Sequence, residues 1–139
     1  MYRKILQGLD GSAGSLKAMA HAIELSKRFS AQLHTISVEE VPHYAGTIGE
    51  VLEEKAAANG VFGEAIRKAR EMASKEGVQI THHVIVGHEV KSIVEYIKRH
   101  GFDVLVIGFM GHSALYERVM GGTCQGLVRL ASCSVLVVK

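Results

Sequence analysis

Residues 103–123 read DVLVIGFMGHSALYERVMGGT, and the other elements of the chain can be interpreted from this segment outward. It opens with a short apolar, largely β-branched run, which predicts a buried strand over Asp103–Ile107. Thr123 closes the stretch, and a helical pattern follows it. Four glycines lie in the loop between the predicted strand and the helix: Gly108, Gly111, Gly121 and Gly122. Because glycines let backbone N–H groups approach an anion and a helix start adds unpaired donors, this arrangement indicates an anion-binding loop.

The glycine loop has a simpler interpretation, in which the glycines only allow tight turns. The strings G-x-x-x-x-G-K-[ST] and G-x-G-x-x-G are both absent at a strand–helix junction, so neither a P-loop nor a dinucleotide fingerprint is present. A second glycine-flanked turn is Gly8-Leu9-Asp10-Gly11. Two interpretations of its aspartate stay open: a local Asx turn, or a contact to a ribose hydroxyl or a metal-bound phosphate.

Strand and helix patterns alternate along nearly the whole chain. Strands are predicted at Lys4–Asp10, Gln32–Val38, Val78–Val86, Asp103–Ile107 and Val135–Val138. Helices are predicted at Leu16–Phe29, Val61–Lys75, Glu89–Arg99 and Cys124–Ala131, the first capped by Ser12 or Ser15. Residues 39–60 read as a variable excursion. The alternation predicts a three-layer α/β fold, an open parallel five-stranded sheet with helices on both faces and ligands at the carboxyl ends of the strands.

Composition narrows the class of protein. The 139 residues fit one domain spanning 1–139, and 47% hydrophobic with 22% charged residues is typical of a globular chain. A net charge of +2, with scattered lysines and arginines, argues against a nucleic-acid partner. No apolar run has membrane-spanning length, and two cysteines make no disulfide framework. We therefore expect a cytoplasmic protein.

Other reactive residues give weaker signals. His82 and His83 are neighbours on a predicted strand, so they point to opposite faces and cannot share one metal ion; we expect no metal site built from protein ligands. His112 and Arg118 lie inside the glycine loop, where they either approach phosphates or stay solvated. Cys124 stands near a helix start without a visible base, which favours a buried thiol over a nucleophile.

Taken together, these motifs resemble the universal stress protein family, in its nucleotide-binding type. That type carries G-x-x-G-x9-G-[ST] after the fourth strand, a D-G-S or D-x-S turn after the first and a terminal P-V-L-V-V strand. The matching segments here are Gly108-Phe109-Met110-Gly111, Gly121-Gly122, Asp10-Gly11-Ser12 and Ser134–Val138.

The resemblance implies a sheet of order 3-2-1-4-5, of the adenine-nucleotide α-hydrolase-like kind, with ATP, and Mg²⁺ beside it, across the ends of strands one and four. It implies a homodimer joined through the fifth strands, at Val135, Leu136, Val137 and Val138. Gly8, Leu9 and Asp10 would line the adenosine side with Val38 against the base, and the residues after strand four would hold ribose and phosphates. The nucleotide-binding residues so implied are Gly8, Leu9, Asp10, Val38, Ile107, Gly108, Met110, Gly111, His112, Gly121, Gly122, Thr123 and Cys124.

One departure from the family pattern concerns the phosphates. Gly122 stands where the family has Ser or Thr, and the nearest hydroxyl is one place later, on Thr123. Losing a hydrogen bond to a charged oxygen would cost about 1.5–3 kcal/mol. The implied function is an ATP-binding stress-response regulator with at most slow ATP hydrolysis. The alternatives are a nucleotide-free interaction dimer of the same family, and an ATP pyrophosphatase-type enzyme, whose S-G-G-x-D-S loop is missing after strand one.

Overall fold

One parallel sheet forms the centre of the computed structural model, which describes residues 1–40, 60, 62–109 and 122–139. The strands are β1 (Lys4–Gly8), β2 (Gln32–Glu39), β3 (Ile80–Val86), β4 (Val104–Gly108) and β5 (Ser134–Val138). The helices are α1 (Ala13–Phe29), α2 (Gly63–Lys75), α3 (Glu89–His100) and α4 (Gly122–Leu130). All pairs are parallel and the order is β3-β2-β1-β4-β5, which confirms the architecture predicted from the sequence.

The two faces of the sheet bury two separate apolar cores. On β1, the consecutive residues Ile5 and Leu6 are both fully buried, and each belongs to a different core. Ile5 packs in the cluster that includes residues of α1 and α2, whereas Leu6 packs in the cluster with α3 and α4. Strands buried on both faces need continuous apolar runs rather than alternation, and this is what the sequence of β4 supplies.

Strand ends differ from the sequence expectations by one or two residues, for identifiable reasons. β1 ends at Gly8 rather than Asp10 because the chain turns there toward α1. β3 begins at Ile80 rather than Val78, since Gly77 takes a left-handed φ of 71° and Val78 still donates to the carbonyl of Ala73. Asp103 precedes β4; its carboxylate instead accepts from the backbone N–H groups of Arg3 and Lys4, at 2.8 and 2.9 Å.

Helix boundaries follow their caps. Ser12 is the N-cap of α1, accepting from the N–H of Ser15, so the helix begins at Ala13 rather than Leu16. Gly101, at φ 66°, ends α3 as predicted. Gly122, expected in the loop, is the first residue of α4. Of the predicted excursion at residues 39–60, residues 41–59 lie outside the described residues. Within the described part of the chain, each helix is too short or too polar to cross a bilayer.

Candidate functional site

A cleft of about 530 Å³ opens at the carboxyl ends of β1 and β4. These two strands are neighbours in the sheet, and the chain winds outward from them in opposite directions. Open α/β sheets bind ligands at this kind of switch point because the loops after adjacent strands part there and leave a crevice.

The sequence-predicted residues that the structure describes all line this one cleft. They come from the ends of β1, β2 and β4 and from the first turn of α4: Gly8, Leu9, Asp10, Val38, Ile107, Gly108, Gly122, Thr123 and Cys124. The other predicted residues, Met110, Gly111, His112 and Gly121, lie outside the described residues, as does Arg118. The fold therefore brings together segments more than a hundred positions apart in the chain.

Asp10 shapes the turn between β1 and α1. Its Oδ1 accepts from both the backbone N–H, at 2.9 Å, and the hydroxyl of Ser12. The Ser12 Oγ in turn accepts from the N–H of Ser15, at 3.1 Å, and so caps α1. Of the two interpretations left open by the sequence, the Asx turn is thus present. A ribose contact from the same carboxylate stays a prediction.

Leu9 lines the cleft and also joins β1 to β2. Its N–H donates to the carbonyl of Ile36 at 2.9 Å, and its own carbonyl accepts from the Ser37 hydroxyl at 2.6 Å. Its side chain is buried in the core on the α1 side of the sheet. Leu9 therefore holds β1 and β2 together at the cleft floor, and its backbone groups are already engaged.

The glycines serve two distinct purposes. A Cβ on Gly108 would lie 2.7 Å from the carbonyl carbon of Gly14 in α1, so a glycine is needed there for helix–sheet packing. A Cβ on Gly8 would meet Ile107 at 3.1 Å. Gly122 has no described neighbour within 4 Å, and it lines the cleft at the start of α4. The first N–H groups of a helix have no partner within the helix, so this end can donate to a ligand.

Glu89, which the sequence analysis left unassigned, is the main addition to the site. It opens α3, is half-buried, and accepts from the Thr123 hydroxyl at 3.4 Å, while its own N–H donates to Glu40 at 3.0 Å. Burial, together with the charges of Asp10 and Glu40, raises the pKa of the Glu89 carboxyl above its ordinary value. The sequence offered one signal for placing Glu89 in the site, its position just after β3. The carboxyl ends of parallel strands lie at the same edge of a sheet, where the cleft opens.

Further residues reach the cleft from α2, α3 and α4. Phe62, Ala65, Ile93 and Leu127 give it apolar walls, and Lys68 and Glu64 stand at its α2 side. Cys124 is buried, as expected, and burial raises the pKa of its thiol. Over the residues that the structure describes, no three His, Cys, Asp or Glu side chains are grouped to hold a metal ion.

The sheet order and the cleft at its switch point define a doubly wound α/β protein. The sequence profile of the Universal stress protein family matches residues 1–139, so the chain belongs to that family. A universal stress protein of Methanocaldococcus jannaschii, MJ0531, is 33% identical over 147 residues, which cover 100% of this chain and 83% of that one. UspA from Lactobacillus plantarum has a TM-score of 0.84 at 23% identity, covering 99% of this chain and 98% of its own.

Some of the similar structures contain adenine nucleotides. A universal stress protein crystallised in complex with cAMP is 25% identical, with a TM-score of 0.77, and the match covers 99% of this chain and 97% of that one. An Archaeoglobus fulgidus member in complex with dAMP (18% identity, TM-score 0.69, 100% and 98% covered) and an Arabidopsis thaliana member with AMP bound (13%, 0.71, 99% and 91%) share the fold at lower identity.

Proposed function

We propose that this protein binds an adenine nucleotide, ATP together with Mg²⁺, in the cleft between the ends of β1 and β4. The observation that carries the proposal is the convergence of the nine described motif residues on a single cleft. The cAMP complex of a 25% identical family member supports the choice of an adenine nucleotide. The cleft volume, about 530 Å³, suits a ligand of nucleotide size.

The proposed orientation follows from the chemistry of the walls. The base would lie against Val38 and Ile107, which are apolar and border the cleft. The ribose hydroxyls would approach the carboxylate of Asp10. The phosphates would lie at the start of α4, where Gly122 leaves space and the first N–H groups point out of the helix.

The proposed biological role is that of a cytoplasmic, dimeric regulator in stress responses, whose interfaces respond to the bound nucleotide. β5 is an edge strand of the described sheet and pairs only with β4, so its outer backbone groups can pair with a second copy. Leu136 is 37% exposed on this strand, whereas Val138 is already buried in the core. A dimer interface through Val135–Val138 would therefore consist of backbone hydrogen bonds between the two strands and contacts of the Leu136 side chain.

Two measurements on the purified protein test nucleotide binding. Denaturation followed by chromatography should release ATP or ADP at close to one equivalent per chain. Protein stripped of nucleotide should gain thermal stability with millimolar Mg-ATP, since a ligand at 100 times its Kd adds about 2.7 kcal/mol. An empty protein with no such gain would favour the nucleotide-free dimer, and rapid substrate-dependent release of pyrophosphate would instead indicate the enzyme.

A further inference from the structure

The cleft carries acidic side chains where a phosphate ligand is expected to bind. Among the described residues that line it, the basic side chain is that of Lys68. The acidic ones are Asp10, Glu39, Glu64 and Glu89. Glu64 is exposed and paired with Arg67 in two hydrogen bonds, so its charge is compensated. Glu39 and Glu89 give the described wall a negative charge near the ends of β2 and β3.

Glu89 contacts the start of α4, where the phosphates are expected to bind. Its Oε2 lies 3.4 Å from the Oγ1 of Thr123, in the first turn of α4. Among the described residues, the groups that act on it are Asp10 from the β1–α1 turn, Glu40 just after β2, the adjacent His88, and Thr123 from α4. Two of these neighbours are acidic, and the Thr123 hydroxyl is directed to Glu89 rather than to a ligand.

We propose that Glu89 sets the charge of the ligand that the cleft accepts, excluding free ATP in favour of magnesium-complexed ATP or adenylates with fewer phosphates. This inference rests on the proposed function, which places the phosphates at the start of α4. A carboxylate beside a bound phosphate repels each negative charge in a partly desolvated site. Adenosine carries no such charge, and Mg²⁺ bridging the phosphates cancels much of the repulsion.

Glutamine is the informative replacement at this position. Glu89→Gln keeps the size of the side chain, can still accept from Thr123, and adds an N–H group that can donate to a phosphate. A matched control is Glu95→Gln, because it removes the same charge from an exposed position on the same helix, outside the cleft.

The test is isothermal titration of nucleotide-free protein with adenosine, AMP, ATP in EDTA, and ATP with excess Mg²⁺. In wild type and in Glu95→Gln, ATP in EDTA should bind more weakly than Mg-ATP. Glu89→Gln should bind ATP in EDTA roughly ten-fold more tightly than wild type, because that is about the effect of removing one nearby charge. The gain in affinity for Mg-ATP should be smaller. Its affinity for adenosine should stay the same.

A pH series adds a second readout. Because its pKa is raised, Glu89 becomes protonated at a higher pH than an ordinary glutamate does. Affinity for ATP in EDTA should therefore rise as the pH falls, and more steeply in wild type than in Glu89→Gln. Since protonation of ATP itself affects both proteins alike, the difference between them reports on Glu89.

The outcomes separate this inference from the proposed function. If wild type binds adenylates and Glu89→Gln leaves the order of affinities and its pH dependence unchanged, Glu89 does not select ligand charge. An equal gain in Glu95→Gln would also overturn the inference, because it would show a general effect of net charge. Failure of wild type to bind any of the four ligands would overturn the proposed function itself, and the inference with it.

Discussion

Gly108, at the end of β4, lies directly against Gly14 in the first turn of α1. A Cβ on Gly108 would stand 2.7 Å from the carbonyl carbon of Gly14 and 2.8 Å from its oxygen, closer than real Cβ atoms approach backbone. The contact sets the start of α1 against β4, beside the Asp10–Ser12 turn. Gly108 is one of the predicted nucleotide-binding residues. Its contact with Gly14 gives a packing reason for glycine at this position.

Gly108→Ala should therefore destabilise the fold whether or not a nucleotide is present. Backbone must move to admit the methyl group, and overpacking of this kind costs about 1–3 kcal/mol. Gly63→Ala is the control, since Gly63 lies in a helix and a methyl group added there would have no described atom within 4 Å. Urea unfolding should show a lower midpoint for the first variant and an unchanged or higher one for the second. Equal midpoints would contradict the packing explanation.

The half-buried His82 of β3 predicts acid sensitivity. Burial, then the positive charges of Arg70 and His83, lower the pKa of His82 to about 4. Its Nδ1 is paired with the Thr35 hydroxyl, and its Nε2 has no partner among the described residues. Because an unfolded histidine titrates near 6.5, the unfolded chain binds more protons between about pH 6.5 and 4, so the free energy of unfolding falls as the pH falls through that window.

Urea unfolding at pH 7.5, 6.5, 5.5 and 4.5 measures this effect. His82→Gln should show a shallower loss of stability than wild type, although burial lowers the pKa of His34 and His83 as well and leaves part of the slope in place. His21→Gln, at an exposed position on α1, should follow the wild-type slope. A slope in His82→Gln identical to that of wild type would show that His82 plays no part.

Glu89 predicts a pH effect opposite in direction to that of His82. Its pKa is raised in the folded protein, so the folded chain binds more protons than the unfolded one above the ordinary glutamate pKa, and stability is lost as the pH rises through the folded value. Glu89→Gln should therefore be more stable than wild type at pH 7, and the difference should shrink toward pH 4.5. Thermal unfolding across that range checks it; a constant difference would be inconsistent with the raised pKa.

The exposed edge of β5 predicts where two copies meet. Leu136→Glu would place like charges near a two-fold axis, so light scattering should show a shift from dimer to monomer. Leu130→Glu is the comparison, because Leu130 is 57% exposed and lies on α4 rather than on β5. If the dimer persisted in Leu136→Glu and dissociated in Leu130→Glu, the interface would not lie on β5.

The fold could be predicted from sequence because its signals are local. The apolar run of β4, the Ser12 cap and the Gly101 helix end each act within a few residues. The prediction that His82 and His83 point to opposite faces is also confirmed: His82 pairs with Thr35, whereas His83 pairs with His34 and Tyr96. These contacts follow from the alternation of side chains along a strand.

The site could be predicted only in part because its remaining contacts are between distant segments. Nothing near Glu89 in the chain shows that it meets Thr123, 34 positions away; the two meet because α3 and α4 pack in the same apolar cluster on one face of the sheet. In the same way, the reason for glycine at position 108 lies in α1. Motif spacing locates backbone that a ligand can approach, whereas side-chain partners depend on packing across the sheet.

A large side chain introduced at Gly122 would occupy the space where the phosphates are proposed to bind. This substitution is therefore the sharpest test of nucleotide binding at the start of α4. Gly122→Leu adds a helix-favouring side chain where no described atom lies within 4 Å, so the protein should fold with unchanged or higher stability. Gly63→Leu makes the same change at a helical position outside the cleft. Titration with Mg-ATP should show binding in wild type and Gly63→Leu and at least a ten-fold loss in Gly122→Leu. Undiminished affinity in a folded Gly122→Leu protein would contradict the assignment of this cleft as the nucleotide site.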